Sequence, residues 1–359
     1  MKPARCCAPP ACRLAEWLYE DGIGEARAAL IDQGRILKAR IERPYLGPRA
    51  GAVVAARYDA NWVHFQGGSF LLAQGLQAYV AQIPRALSQG ARVRLEILRQ
   101  YTPRAGGRAK RITARIVPPD TPLSDGPSLA EAIAATPWPV RMLRAVDADA
   151  LEEAGWSELL EEARTGMVDF PGGRLTIELT EAMTVIDVDG GGDAEKLAVA
   201  GARAAAETIE RLNLAGSIAI DLPTANGKAA RLAAAAAFDA AMLSKVERTA
   251  VNGFGLLHAV MRRRRPSLIE LIQGEPARSE ALALYRRAER EPLPGSIVFT
   301  ANLATAAGRA AEDAELARRR GTAVRWQADA TPIGRGSVNR VIETGVAAMP
   351  ARPMEDNDG

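Results

Sequence analysis

Short runs of alternating apolar and polar residues fill the first third of the chain. They are clearest at 28–31, 36–41 and 93–98, with turn residues between runs at 32–34, 47–48 and 67–68. A period of two predicts strands with unlike faces, and closely spaced turns are typical of a small all-β barrel. We therefore predict a barrel of the OB type over residues 14–117, following a disordered tail at 1–13.

The pattern changes after residue 117. Residues 118–170 are rich first in proline and then in acidic residues, which indicates a connector. Strands and helices then alternate, which predicts a mixed α/β domain over 171–273 and a small C-terminal α/β domain over 274–346, with a tail at 347–359. The predicted strands are 175–178, 184–187, 217–221, 296–300 and 323–327, and the predicted helices are 195–212, 229–246, 279–290 and 310–320. The fold class is a multidomain α+β protein.

Composition narrows the class of protein. Hydrophobic residues make up 48% and charged residues 25% of the 359 positions, which is typical of a globular protein. No apolar run approaches the roughly 20 residues of a membrane span, so no membrane partner is expected. The three cysteines, Cys6, Cys7 and Cys12, precede the first predicted strand without a nearby histidine. This placement argues against a zinc site and favours a cytoplasmic location.

Positive charge is concentrated, although the formal net charge is only +3. Residues 92–115 contain eight Lys or Arg residues and a single Glu, on what we predict to be one hairpin. Such a hairpin can follow a phosphate backbone. The candidates for binding RNA are Arg108, Lys110 and Arg111, and in second place Arg262, Arg263, Arg264 and Arg265. The alternative for the second set is the solvated end of a helix.

Acidic residues end two of the predicted strands. Asp187 and Asp189 lie on one face at the end of the first strand, and Asp221 ends the next. Oxygen ligands without nitrogen or sulfur favour Mg²⁺ or Mn²⁺, and such sites commonly serve phosphoryl chemistry. The alternative is that each Asp caps the next helix in the chain. His64 and His258 are far apart in the sequence and are interpreted as packing or surface residues.

The segment 172–189 resembles the ribonuclease E/G family of bacterial endoribonucleases, most specifically in Thr180-Glu181-Ala182 followed by Ile186-Asp187. Residues 215–221 resemble the second acidic strand of the family, and 254–257 with 266–268 resemble the family's next segment. More loosely, 28–42 and 93–116 resemble strands of the N-terminal RNA-binding part, in which aromatic side chains stack on bases. Trp62, Phe65, Phe70 and Tyr79 are the candidates for that role.

The resemblance implies a Mg²⁺-dependent endoribonuclease that hydrolyses single-stranded RNA to 5′-phosphate and 3′-hydroxyl ends, in RNA processing or decay. Asp187 and Asp221 would bind the ion, and Asp189 would assist as a third catalytic residue in a position where the family has Asn. No zinc is expected, so an oligomer, if formed, is not linked by zinc.

The chain also departs from the family pattern. Leu222-Pro223-Thr224 replaces a second carboxylate after Asp221, and Gly253 stands where the family usually has Arg. The family's pocket for a 5′-monophosphate is also mostly missing. These departures motivate an alternative, a catalytically weak RNA-binding protein on the same scaffold. A third interpretation is a structural partner in an RNA-decay or ribosome-maturation assembly that docks through the acidic connector.

Overall fold

The computed structural model describes residues 15–61, 67–106, 109–225, 227–291 and 295–341. Several residues singled out in the sequence lie outside these ranges: Cys6, Cys7, Cys12, Trp62, His64, Phe65 and Arg108. The predicted tails at 1–13 and 347–359 also lie outside the described residues, so the expectation of disorder at 1–13 stays a prediction.

Eighteen strands are formed by the described residues. They are β1 Glu16–Asp21, β2 Ala26–Asp32, β3 Arg35–Glu42, β4 Val53–Asn61, β5 Gly68–Leu71, β6 Gln77–Val80, β7 Arg92–Arg99, β8 Ile112–Val117, β9 Val140–Leu143, β10 Met167–Phe170, β11 Gly173–Leu179, β12 Thr184–Gly190, β13 Gly216–Asp221, β14 Glu247–Arg248, β15 Leu256–Met261, β16 Ser296–Asn302, β17 Val324–Asp329 and β18 Ser337–Val341.

Nine α-helices connect and cover the sheets in the same part of the chain. They are α1 Leu129–Ala134, α2 Ala150–Glu153, α3 Trp156–Thr165, α4 Ala194–Arg211, α5 Lys228–Ala241, α6 Leu268–Gly274, α7 Pro276–Glu289, α8 Leu303–Ala306 and α9 Ala310–Arg320. The protein is therefore of the mixed α+β class. None of these helices combines the length and the apolar character needed to cross a membrane.

Strands β4, β5, β6, β8 and β7 close into a five-stranded barrel in that order. Strands β6 and β8 are parallel, whereas the other neighbours are antiparallel. Phe70, Leu95, Ile97 and Ile112 fill the interior and are at most 1% exposed. The order and the mixed pairing are those expected of an OB-type barrel.

The barrel begins at Val53, so the strands before it are not part of it. Strands β1 to β3, together with β9, form a separate four-stranded sheet in the order β3-β2-β1-β9. Strand β9 comes from the predicted connector and lies parallel to β1. The prediction of a barrel that starts at residue 14 is therefore wrong. Alternating polarity indicates which face of a strand is buried, but it does not indicate which strand that strand pairs with.

The six-stranded sheet that carries the acidic residues has the order β10-β11-β12-β13-β15-β14. Strands β12 and β13 are parallel, and α4 and α5 come after them in the sequence. Ile186, Val188, Ile218 and Ile220 are buried on the face that packs into the main core with the two helices. The alternate residues of the same strands lie on the opposite face, which we call the open face.

The C-terminal unit is a three-stranded sheet of order β17-β16-β18, accompanied by α7, α8 and α9. Tyr285, Phe299 and Leu316 are fully buried in its core. Glu25 joins this unit to the N-terminal sheet, because Arg43 and Arg286 both pair with its carboxylate.

Candidate functional site

Asp187 and Asp221 are direct neighbours across the two parallel strands. The register pairs Ile186 with Ile220 and Asp187 with Asp221. Asp187, Asp189 and Asp221 are all exposed, whereas the residues that alternate with them along the strands, Ile186, Val188 and Ile220, are buried. Since side chains alternate along a strand, the three carboxylates share the open face at the carboxyl ends of β12 and β13.

The three carboxylates influence one another. Desolvation raises the pKa of Asp187, and the neighbouring charges of Asp189 and Asp221 raise it further. Asp189 also lies within hydrogen-bonding reach of Asp187. Like charges held together favour protonation or a cation, so this edge of the sheet is suited to bind positive charge.

Helix capping does not account for these residues. The N-cap of α4 is Asp193, whose carboxylate accepts hydrogen bonds from the backbone NH groups of Glu195 and Lys196. The N-cap of α5 is Gly227, which has no side chain to donate or accept. The capping interpretation of Asp187, Asp189 and Asp221 is therefore wrong, because other residues occupy the cap positions.

The donor set limits which ion would fit. Within the described ranges, no three His, Cys, Asp or Glu side chains converge closely enough to enclose a metal ion. The facing pair Asp187 and Asp221 offers carboxylate oxygens on an exposed face. Such a pair fits a hard ion that keeps water and takes its remaining ligands from a phosphate, as Mg²⁺ does. Two carboxylates are too few for a site in which the protein supplies every metal ligand.

His258 also lies on the open face, which the sequence interpretation missed. It is paired with Ala219 on β13, and its Nε2 lies 2.7 Å from the hydroxyl of Ser217. Asp221 is paired with Leu256, two residues before His258 on β15. The imidazole is therefore a diagonal neighbour of Asp221, at a typical Cα separation of about 7–8 Å.

The four consecutive arginines are not on a helix, contrary to the interpretation of their sequence. They occupy the irregular segment between β15 and α6. Arg263 donates to the backbone carbonyl of Ala215 and pairs with Glu270, while Arg262 and Arg264 are exposed. Ser267 and Glu270 form a capping box that starts α6 only at Leu268. That Ser-x-x-Glu pattern is visible in the sequence and predicts this boundary.

A loop of the barrel contacts this arginine segment. The backbone NH of Gln100 donates to the carbonyl of Arg264 at 2.9 Å. In the same loop, Lys110 and Thr102 exchange two backbone hydrogen bonds, each 2.9 Å long. Arg104 donates to the carbonyl of Thr180 in the turn between β11 and β12. The loop between β7 and β8 therefore joins the barrel to the six-stranded sheet.

Four cations converge at this junction, which we call the cationic cluster: Arg99, Arg104, Lys110 and Arg263. Burial lowers the pKa of Lys110, and the positive charges of Arg263 and Arg104 lower it further. Burial likewise lowers the pKa of Arg99, and Arg263 adds to the effect. Glu270 offsets part of this repulsion, because it pairs with Arg263 and its charge raises the pKa of both Lys110 and Arg99. The remaining positive charge favours a bound anion. Arg111 is exposed beside the cluster, and its carbonyl accepts a hydrogen bond from Arg99.

The cationic cluster and the carboxylates lie at opposite ends of β13. Gly216, the first residue of β13, pairs with Met261, directly before the arginine segment, whereas Asp221 is the last residue. Five residue steps along a strand cover roughly 17 Å. The sequence does not indicate this separation, because it depends on the antiparallel pairing of β15 with β13.

The candidate aromatic residues of the barrel differ in accessibility. Phe70 is fully buried and stacks on Tyr58, with ring centroids 5.0 Å apart, so it is a core residue and not a stacking platform for bases. Tyr79, on β6, is half-buried.

The open sheet face carries clustered carboxylates and is joined to a five-stranded barrel whose loop contributes cations. Such an arrangement is suited to ligands that bear phosphate. Residues 131–265 match the family model described as Ribonuclease E/G family. This range extends from α1 to the arginine segment and includes all three carboxylates, so the part of the chain that carries the candidate site is similar to the ribonuclease E/G family. The comparison with curated proteins found no match.

Proposed function

We propose that the protein is a cytoplasmic, Mg²⁺-dependent endoribonuclease that hydrolyses single-stranded RNA in RNA processing or decay. The observation that carries the proposal is the direct pairing of Asp187 with Asp221 on the open face, beside Asp189. The match of residues 131–265 to a ribonuclease family model supports the same reaction class.

In this proposal each carboxylate has a defined task. Asp187 and Asp221 would hold Mg²⁺, or Mn²⁺ in its place, and Asp189 would orient the attacking water. When bound there, the ion would supply a water of lowered pKa and would neutralise charge on the scissile phosphate. Water adds to phosphorus and the bond to the 3′ oxygen breaks, which leaves a 5′-phosphate on one product and a 3′-hydroxyl on the other.

The basic residues bind the RNA strand at phosphates distant from the one that reacts. Lys110 and Arg263 of the cationic cluster, with the exposed Arg111, Arg262 and Arg264, contact phosphates about 17 Å from the carboxylates. Arg108 and Arg265 belong to the same proposed set. Such contacts fix register and orientation without reading sequence. A bound strand would therefore run along the open face from the cluster to the carboxylates.

Cleavage of a 5′-labelled, A/U-rich single-stranded RNA tests the proposal. We expect internal cuts that require Mg²⁺ or Mn²⁺ and stop on addition of EDTA. The downstream products, followed with a second substrate labelled at its 3′ end, should carry a 5′-phosphate, shown by their degradation by an exonuclease specific for that end. Metal-independent cuts, or products ending in a 2′,3′-cyclic phosphate, would exclude this mechanism.

A second candidate function is RNA binding with little or no hydrolysis. It is favoured by Thr224 and Gly253, neither of which brings a charge to the carboxylate edge, and by the separation of the cationic cluster from that edge. This candidate predicts intact RNA that is nonetheless bound, with affinity falling steeply between about 50 and 200 mM salt.

The connector is less suited to the third interpretation, in which it docks a partner. Two of its acidic residues are engaged within the chain: Asp149 pairs with Arg27 and Arg290, and Glu162 pairs with Arg211. These carboxylates hold α2 and α3 in the fold.

A further inference from the structure

Phe254 is the most exposed large hydrophobic side chain in the described part of the chain, at 85%. It lies in the loop before β15, among small and polar neighbours at Asn252, Gly253 and Gly255. An aromatic ring left this far in water contributes almost nothing to the core. The ring is therefore free to contact a ligand without loss of packing in the core.

The loop that carries Phe254 is held firmly. The side-chain oxygen of Asn252 accepts hydrogen bonds from the backbone NH groups of Phe254 and Leu256, at 2.9 and 3.0 Å. Gly255 has φ of +93°, and a Cβ at this position would lie 2.1 Å from the carbonyl oxygen of Leu222. The NH of Leu222 in turn donates to the carbonyl of Gly255. The ring is thus displayed from a fixed turn that is bonded to the residue directly after Asp221.

This turn lies at the carboxylate end of the sheet. Leu256 is the cross-strand partner of Asp221, and Phe254 is two residues before it. Cross-strand spacing and chain length place the Cα of Phe254 within roughly 13 Å of that of Asp221. A nucleotide whose phosphate lies at Asp187 and Asp221 would bring a neighbouring base within reach of the ring.

We propose that Phe254 is a positioning residue that stacks on the base of a nucleotide flanking the scissile phosphate of single-stranded RNA. The inference rests on the proposed nuclease function and extends it to a second point of contact at the cleavage site. Stacking on an exposed ring suits unpaired bases of any identity, because every base has a π-face.

The surroundings favour a base over other occupants. The apolar surface is limited to the ring and to Leu256, which is 39% exposed, and this is too small for a stable protein interface. A single flat ring beside a phosphate-binding edge matches one nucleotide.

Fluorescence of 2-aminopurine gives a test that does not depend on cleavage. The probe is a short A/U-rich RNA with phosphorothioate linkages, which resist hydrolysis, and with 2-aminopurine at one position at a time, in the presence of Mg²⁺. We expect one position to be quenched on binding. Phe254→Ala should remove that quenching and weaken binding roughly ten- to a hundredfold, whereas Phe254→Trp should retain both. Leu303→Ala, at another exposed apolar residue (67%), is the control and should change neither.

An abasic substitution links the ring to cleavage. On ordinary RNA, removing the base at the quenched position should lower kcat/KM of the wild type about as much as Phe254→Ala does, and should have no further effect in that variant. Equal cleavage by the wild type and Phe254→Ala, with no loss on the abasic strand, would overturn the inference and leave the proposed nuclease intact. Quenching that depends on Phe254 without any cleavage would instead support the stacking contact and reject the nuclease.

Discussion

Gly253 leaves room for a side chain beside the exposed ring of Phe254. No atom lies within 4 Å of the position that its Cβ would take, and its φ is not in the left-handed region. The family usually has Arg here, so we predict that Gly253→Arg adds one phosphate contact. RNA affinity should rise several-fold at low salt, and the slope of log affinity against log salt should steepen by about one.

Gly253→Gln is the matched control, because it adds a chain of similar length without a charge. Salt titrations by fluorescence anisotropy distinguish the two variants. An equal gain with Gln, or no gain with Arg, would show that no RNA phosphate passes this loop.

Asp189 places a negative charge where the family has Asn, beside Asp187. Its charge is the largest electrostatic contribution that raises the pKa of Asp187. We predict that Asp189→Asn keeps hydrolysis, lowers KM for RNA several-fold because phosphate repulsion falls, and raises the Mg²⁺ concentration needed for half-maximal rate. Initial rates over a grid of RNA and Mg²⁺ concentrations measure both constants. A loss of about a hundredfold or more in kcat would instead make Asp189 an indispensable ligand.

The position of α4 depends on a close approach to β12. A Cβ on Gly201 would lie 2.4 Å from Cγ1 of Val188, the buried residue between Asp187 and Asp189. We predict that Gly201→Ala costs about 1–2 kcal/mol of unfolding free energy, because overpacking outweighs the gain in helix propensity. Urea unfolding measures the change.

Val188→Ala removes the atoms that would clash, so the double variant should lose less stability than the sum of the two single variants. Gly191→Ala is the neutral control, because that position is open. Full additivity of Gly201→Ala and Val188→Ala would show that α4 and β12 are not in contact through this pair.

Helix α5 shows which part of an element is readable from its sequence. The apolar pattern predicts a helix over 229–246, and the observed helix, Lys228–Ala241, ends five residues earlier. The carboxylate of Glu210, on α4, accepts hydrogen bonds from the backbone NH groups of Leu243 and Ser244 and pairs with Lys38. A partner so distant in the sequence ends the helix, and no local pattern indicates it. The core strands β12 and β13, in contrast, were predicted from local apolar runs.

Some features of the candidate site are likewise predictable from the sequence, and others are not. Alternation along one strand was enough to predict that Asp187 and Asp189 share a face. The pairing of Asp187 with Asp221, the contact of Ser217 with His258 and the location of Arg262–Arg265 all depend on strand order, which alternation does not set. The exposure of Phe254 likewise depends on tertiary structure.

At the scale of the whole molecule, a buried ion-pair network links the N-terminal sheet to α7. Glu25 is 2% exposed and pairs with both Arg43 and Arg286. Burial alone would raise the pKa of Glu25, but the charges of Arg286 and Arg43 outweigh burial and lower it below its ordinary value. The ionised carboxylate therefore stabilises the fold above the pKa of the unfolded chain, near 4.5.

This stabilisation should be lost as the pH falls below about 4.5 and through the lower pKa of the folded state. We predict that Glu25→Gln costs about 3 kcal/mol at pH 7, because it removes the carboxylate that pairs with two buried guanidinium groups, those of Arg43 and Arg286. Unfolding by urea between pH 7 and pH 3 should show the wild type approaching the variant as the pH falls. A constant difference between them would show that Glu25 does not titrate with folding.

The central claim is that Asp187 and Asp221 form one metal-dependent hydrolytic site. Single-turnover cleavage of labelled RNA in Mg²⁺ by Asp187→Asn and Asp221→Asn tests it most directly, with Glu178→Gln as an exposed carboxylate control on the same face. We predict that each Asn variant loses at least about a hundredfold in rate while binding RNA through the distant cationic cluster, and that the control cleaves normally. Cleavage at the wild-type rate by either Asn variant would contradict the account.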